Sequence, residues 1–321
     1  MNEIATHRPR RAPEVIQIDT QHEGQRIDNF LTAYLKGVPK SFIYRILRKG
    51  EVRVNKSRAK PTYRLQEGDM LRIPPLRRAE AAEAPVPGKK LVALLNQCIL
   101  YEDEGILILN KPAGIAVHGG SGLSFGVIEI LRAMRPQAPF LELVHRLDRD
   151  TSGCLIIAKK GSALRHLHKL LREDGMTKRY LALLRGAWHG GERRVTAPLR
   201  KNVLQSGERI VKVEADGKRS QTLFIPLRRW PAATLVEVVP FTGRTHQIRV
   251  HAAFLKQPIA GDEKYGDADF NRAMQEKGLR RLFLHAANLS FTSASGQHIE
   301  ASAPLEPDLQ NLVDALGDVR L

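Results

Sequence analysis

The run Cys154-Leu155-Ile156-Ile157-Ala158 has the length and β-branching of a strand buried on both faces, and the nine residues before it are mostly polar. His145-Arg146-Leu147-Asp148-Arg149-Asp150-Thr151-Ser152-Gly153 brings two carboxylates, two guanidiniums, an imidazole and two hydroxyls to the strand's start, behind an apolar approach at Leu143-Val144. A chain with this junction must run a charged loop into a sheet edge. Burying even one of its carboxylates is costly unless a cation or hydrogen-bond donors compensate. The loop is therefore either a surface turn closed by an Arg-Asp ion pair or a set of reactive groups held by a rigid strand.

Charge narrows the partner. The 321 residues carry 51 Lys and Arg against 34 Asp and Glu, a formal charge of +17, and the sequence pI is about 10.1. A polyanion or a membrane surface would suit that balance; without a long amphipathic basic helix, nucleic acid is the expected partner. No apolar run approaches the ~18 residues of a membrane span, and residues 1–13 read as a basic tail with no apolar core, so a cytoplasmic protein is expected. Cys98 and Cys154, the two cysteines, each lie in an apolar run and are expected as buried free thiols.

Along the chain, Ile27, Phe30, Leu31, Tyr34 and Leu35 share one face of a helix from Arg26. Ser41 and Gly50 are expected to cap and stop a second helix, with Ile43, Ile46 and Leu47 inward and Arg45, Arg48 and Lys49 outward. Val52 and Val54 alternate with Arg53 and Asn55, and Asp69 to Ile73 reads as a further strand. Nine Lys or Arg stand between positions 40 and 64 against one acid, Glu51, whereas solvated faces ordinarily mix signs, so Arg45, Arg48, Lys49 and Arg53 are the expected RNA contacts.

The boundaries expected are a tail at 1–13, a small RNA-binding domain at 14–75, an Ala-, Glu- and Pro-rich linker at 76–90 and a catalytic domain at 91–321. In the last, Ile106 to Leu109, Tyr180 to Leu184 and Thr234 to Val239 read as strands, residues 162–173 and Leu309 to Leu316 as helices, and Leu282 to Ala286 and Asn288 to Phe291 as late strands. The segment from Trp188 to Gln221 is basic and is expected as an irregular excursion bearing a hairpin. Glycines 119, 120, 122 and 126 precede no Lys-Ser/Thr pair, so they read as a loop feeding a helix near Ser124 rather than a phosphate cradle. His166 and His168 fall on different sides of a helix, and no metal site is expected. Thr245 is expected to cap a helix that holds Arg249 one turn in while Val250 and Phe254 pack.

An arginine held against an aspartate keeps the carboxylate ionised and fixes its orientation. Such a carboxylate is a nucleophile or a base. Glycoside hydrolysis would need a second carboxylate, for which Asp150 is the near candidate. A reaction that recaptures its leaving group inside the site needs less machinery, and a flipped nucleobase is such a leaving group.

The segment 26–69, in Arg26-Ile27-Asp28, Ser41 to Gly50, Val52-Arg53-Val54-Asn55 and Gly68-Asp69, resembles the S4 RNA-binding domain, with Lys56 where that pattern often has glycine. His145 to Gly153, Lys178-Arg179-Tyr180 and Gly243 to His251, with Asn110-Lys111-Pro112-Ala113-Gly114 and Leu282 to Ala286, resemble in order the signature set of the RluA family of pseudouridine synthases. Ala197-Pro198-Leu199, Ser206 to Val211 and Tyr265-Gly266-Asp267 are similar to members of that family that act on large-subunit ribosomal RNA.

The resemblance implies an α+β fold, a mixed and largely antiparallel sheet with flanking helices behind the small α/β RNA-binding domain. It implies Asp148 as catalytic aspartate, Tyr180 as the tyrosine that packs on the base, and Arg249 as the partner of Asp148. It also implies Leu284 as a residue lining the pocket. Read by their place in the loop rather than by the resemblance, His145, Arg146 and Thr151 are expected to shape it or hold RNA, Arg149 to prop the flipped base's vacancy or a phosphate, and His246 to bind substrate. Cleavage of the uridine N1–C1′ bond, rotation of the uracil and rejoining through C5 would need no cofactor or metal and would be done by a monomer. Attack on the sugar, attack on the base and removal of a sugar proton all remain open to Asp148. A non-catalytic RNA-binding or ribosome-assembly factor and a base-releasing nucleoside hydrolase are the rival readings.

Overall fold

A computed structural model describes residues 12–35, 37–76, 87–119, 125–203 and 209–317, and the chain divides into two compact units, 1–86 and 87–321. The expected tail lies outside the described residues up to position 11, as do positions 77–86 of the expected linker, Gly120, Gly122, Ser124, and Ser206 to Glu208.

In the first unit, β1 (Glu14–Gln17), α1 (Ile27–Tyr34), α2 (Lys40–Arg48), β2 (Arg53–Val54), β3 (Ser57–Arg58) and β4 (Met70–Ile73) follow in order. The antiparallel sheet runs β1-β4-β2-β3. Ile27, Phe30, Leu31, Ile43, Ile46 and Leu47 pack on Val54, Leu71 and Ile73 as one core. Ser41 is not the cap of α2: the helix starts at Lys40 with Pro39 before it, and no side chain caps it. Proline's fixed φ presets the entry to the helix without a capping hydroxyl.

The second unit contains α3 (Lys89–Gln97), β5 (Ile99–Glu102), β6 (Ile106–Lys111), α4 (Val127–Met134), β7 (Glu142–Leu143), β8 (Ser152–Ala158), α5 (Gly161–Arg172) and β9 (Met176–Arg185). It continues through β10 (Arg193–Thr196), β11 (Leu199–Val203), β12 (Arg209–Val213), β13 (Gln221–Arg229), β14 (Ala233–Pro240), α6 (Gln247–Phe254), α7 (Ala268–Glu276), β15 (Leu284–Thr292), β16 (His298–Ser302) and α8 (Pro307–Ala315). Lys89 and Lys90, assigned to the linker by composition, open α3. The two late strands expected are one, β15, with a register shift between His285 and Asn288.

One sheet runs β10-β13-β14-β9-β15-β8-β6-β5, with β16 on β15 and β7 on β8. Among the described pairs in it, only β15 with β8 is parallel. The fold is thus α+β with a largely antiparallel sheet. All seven residues of β8 are buried, as a two-sided core strand requires. Gly153 is what lets β8 lie so close to β15: its φ is +105°, and a Cβ there would sit 2.2 Å from the carbonyl oxygen of Ala286.

The basic excursion is more ordered than expected, because Trp188, Val195, Ala197, Leu199 and Val211 are buried. β10 joins the main sheet and β11 pairs with β12 as a separate hairpin. Phe254, expected to pack, is 56% exposed, and Cys98 is only half-buried. Among the described residues no helix is long and apolar enough to cross a membrane, and no cluster of His, Cys, Asp and Glu could hold a metal ion.

Candidate active site

The loop ahead of β8 is pinned from behind. The fully buried Lys111 at the end of β6 donates from Nζ to the carbonyls of Pro112 (2.7 Å), Ile115 (2.8 Å) and Arg149 (3.1 Å). Burial lowers its pKa to about 8, with Glu306 and Asp150 acting in the opposite sense. His145 accepts the N–H of Ile156 at Nε2 (3.2 Å), and burial together with the nearby Lys178 ammonium pushes its pKa down to about 4, so it serves as a neutral acceptor. Strand and loop are thereby held in register on both sides of Leu147-Asp148.

Asp148 faces a cavity of about 520 Å³, within the ~300–1,000 Å³ typical of small-molecule sites. Arg146, Thr151, Tyr180, His246, Arg249 and Leu284 line it as well. Tyr180 comes from β9, where Lys178, two residues earlier, faces the same side and also lines the cavity. Burial and then the negative charge of Asp148 push the Tyr180 phenol above its usual range, so it stays protonated. Leu284 at the start of β15 adds an apolar wall.

The opposite wall is built by residues 242–249. Gln247 is the brace: Oε1 accepts from the Thr242 hydroxyl (2.7 Å) and Arg244 N–H (3.0 Å), and Nε2 donates to the Gln221 carbonyl and the Thr222 hydroxyl, both at 2.9 Å. Thr245 does not cap α6. His246 stands at that position with φ +53°, a left-handed conformation that costs a non-glycine residue about 1–2 kcal/mol and is borne because its side chain is fixed. The Tyr265 hydroxyl accepts the Val211 N–H (2.9 Å) and meets His246 Nδ1 at 2.8 Å, and Nε2 of the same ring lies 3.8 Å from Asp148 Oδ2. Burial lowers the His246 pKa while Asp148 opposes the shift.

Arg249 lies in the first turn of α6, and its fork does not go where the sequence suggested. Nε and Nη2 each donate to Asp262 at 2.8 Å, and only Nη1 reaches Asp148, at 3.4 Å. Burial acts against the guanidinium's charge, yet the two bonds to Asp262 raise its pKa. Asp262 itself is held ionised against burial by Arg249 and by the N–H groups of Tyr265 and Lys264.

The structure therefore brings Asp148, Tyr180, Arg249, Arg146, Thr151, His246 and Leu284 to one cavity. Arg149 is turned out of it: Nε donates to the Gly114 carbonyl (2.9 Å), and the Gly114 N–H returns a bond to the Arg149 carbonyl (2.9 Å). Asp150 is exposed and does not line the cavity, so the second carboxylate near Asp148 is Asp262. The sequence reading missed it. The available signal was Gly261-Asp262 after the apolar Ile259-Ala260, with Tyr265 three residues on. In the first unit, Arg45, Arg48, Lys49 and Arg53 are all exposed.

Comparison with known proteins gives a match of residues 105–254 to the family described as RNA pseudouridylate synthase and of residues 25–71 to the S4 domain. The chain is 59% identical over 311 residues to the protein named ribosomal large subunit pseudouridine synthase C of Escherichia coli (strain K12), covering 96% of this chain and 98% of that one. The protein of the same name from Pasteurella multocida (strain Pm70) is 57% identical over 309 residues, covering 96% and 95%. Among solved structures, human RNA pseudouridylate synthase domain containing 4 aligns with a TM-score of 0.60 at 25% identity, over 71% of this chain and 95% of that one. Human RNA pseudouridylate synthase domain containing 1 aligns at 0.57 and 26% identity, over 74% and 99%.

Proposed function

This chain belongs to the RNA pseudouridylate synthase family, and on that footing we propose that it isomerises uridines of large-subunit ribosomal RNA to pseudouridine with Asp148 as the group that acts on the nucleotide. The relatives carry that substrate in their names, and the S4 domain supports an RNA partner. The observation that carries the site assignment is Asp148, the one carboxylate among the described residues that line the cavity, beside a protonated phenol, while Asp150 does not line it.

The reaction is an isomerisation, so every atom is conserved apart from proton exchange. The N1–C1′ bond breaks, the uracil turns, a C5–C1′ bond forms, the C5 proton leaves and N1 gains one. Asp148 supplies the negative charge needed to attack or to take a proton, with Arg249 and His246 fixing where its oxygens lie. Tyr180 offers a flat face for the base, with Leu284 as an apolar wall beside it. Arg146 and Thr151 on the loop would hold the extruded nucleotide. Arg45, Arg48, Lys49 and Arg53 add phosphate contacts that strengthen binding without taking part in chemistry. A cytoplasmic monomer suits this reading.

Asp148→Asn tests it. The amide is nearly isosteric but has neither charge nor nucleophilicity, so tritium release from C5-labelled uridine in a ribosomal RNA fragment should fall to background. RNA binding should change by less than about 1.4 kcal/mol, a factor of ten. Turnover near wild type would exclude Asp148 as the reacting group. Free uracil and an abasic product from the wild-type protein would instead favour the hydrolase reading.

A further inference from the structure

We propose that Asp262 is a positioning residue that sets how much of Arg249 reaches Asp148; the inference rests on reading Asp148 as the reacting carboxylate. Of the three guanidinium nitrogens of Arg249, two donate to Asp262 at 2.8 Å. A two-pronged, charge-assisted pair is the strong arrangement, and the single 3.4 Å approach to Asp148 is a weak one. The three groups together carry one net negative charge, and that charge sits at the cavity, because Asp148 is 30% exposed by side chain and Asp262 only 1%.

Asp262 cannot follow Arg249 if the guanidinium moves. Its Oδ1 also accepts the N–H of Lys264 (3.0 Å) and of Tyr265 (2.9 Å). Asn271 ties the same turn by accepting the Gly261 N–H (2.8 Å) and donating to the Asp262 carbonyl (3.1 Å). Gly261 has φ +72°, and a Cβ there would lie 2.0 Å from the Arg281 carbonyl oxygen, so the turn is pressed against its neighbour. Were Arg249 to offer its full fork to Asp148, a buried carboxylate would be stranded. The fold thus holds Arg249 close enough to orient Asp148 and too far to neutralise it, which leaves lone pairs on Asp148 for carbon or a proton.

The test is Asp262→Asn in the full-length protein, assayed beside Asp148→Asn on the same RNA. Asn keeps an acceptor for the two N–H groups but has no charge to hold the fork, so Arg249 is free to close on Asp148. The expected result is a fall in kcat of about a hundredfold, the scale of a small misplacement at a reacting centre, with KM for RNA within about threefold. The acid limb of the kcat profile should move to lower pH. A folded variant with kcat near wild type overturns the inference, as does a lowered kcat with an unmoved acid limb, which would make Asp262 only a brace for its turn.

If Asp262→Asn alone fails to fold, combining it with Arg249→Gln removes the unpaired cation, and single-turnover rates decide. A residue acting only through Arg249 adds no further loss to Arg249→Gln. Additional loss, or a double variant that still does not fold, overturns the inference. If Asp148→Asn itself proves active, it is the functional reading that fails, and the two failures are told apart on one substrate.

Discussion

Arg45, Arg48, Lys49 and Arg53 in the first unit are exposed, and among the described residues none has a carboxylate partner. Arg45 lies over the Phe42 ring, Arg48 bonds the Tyr44 carbonyl, and Arg53 bonds the carbonyls of Gly50 and Lys56. In the second unit Arg249 is shared between Asp262 and Asp148, Arg281 between Asp308 and Glu306, and Arg135 and Lys159 converge on Glu102. The first set presents unsatisfied charge to water, the condition for exchanging counterions with a phosphate backbone. The second set has its charge spent inside the fold, where it fixes geometry. The same kind of side chain is left exposed without a carboxylate partner in the first unit and is fixed by carboxylates in the second.

The largest expected difference between the two sets is in Arg249→Ala against Arg45→Ala. Removing Arg249 strands the buried Asp262, which should cost about 3–5 kcal/mol of unfolding free energy, and it should slow single-turnover pseudouridine formation by about a hundredfold. Arg45→Ala should change stability by no more than about 0.5 kcal/mol and leave turnover at saturating RNA intact. Denaturant unfolding and single-turnover assays on both variants read the contrast. Equal stability losses would erase it.

Next in size is the combined substitution of Arg45, Arg48, Lys49 and Arg53 by Gln. Each lost phosphate contact should flatten the slope of log K against log salt by about 0.7–0.9, so four should reduce it by about 3, while kcat at saturating RNA stays within about twofold. Binding titrations across salt measure it. An unchanged slope would remove these residues from the RNA interface and with them half of the comparison.

The exposed set was legible in the sequence because its signal is local: one face of α2 and a run of one sign are readable from 3.6-residue spacing alone. Asp148 was legible for a related reason, being a carboxylate set against a strand too apolar to lie at a surface. What periodicity could not give was the pairing. Arg249 and Asp262 are thirteen residues apart and Arg249 and Asp148 more than a hundred, so choosing between them depends on how α6 and the turn after Ile259 pack. That Arg149 leaves the cavity for the Gly114 carbonyl was likewise not legible, because its alternation with Asp148 does not say which of the two turns inward. Thr245 failed as a cap because the braces from Gln247 and Tyr265 hold His246 in a left-handed conformation that no capping preference anticipates.

The smallest expected effect compares two lysines. Lys49 is exposed, whereas Lys111 is fully buried with its pKa lowered to about 8 by desolvation. Unfolded, Lys111 would hold its proton up to about 10.4. Between pH 8 and that unfolded value this side chain therefore holds more protons unfolded than folded, and its own contribution to stability rises with pH through that window. Over pH 8 to 9.5 the gain should be on the order of 1 kcal/mol. Below pH 8 both states are protonated and this contribution is flat. Lys111→Met should lower the slope, since the thioether takes up no proton in either state, whereas Lys49→Met, at an exposed site, is the surface comparison and should keep the wild-type slope. Thermal melts at half-unit steps of pH follow the two variants and the wild type. A slope left unchanged by Lys111→Met would mean that the ammonium behind the Asp148 loop is solvated after all, and that the loop is held by Arg149 and Gly114 rather than by a buried charge.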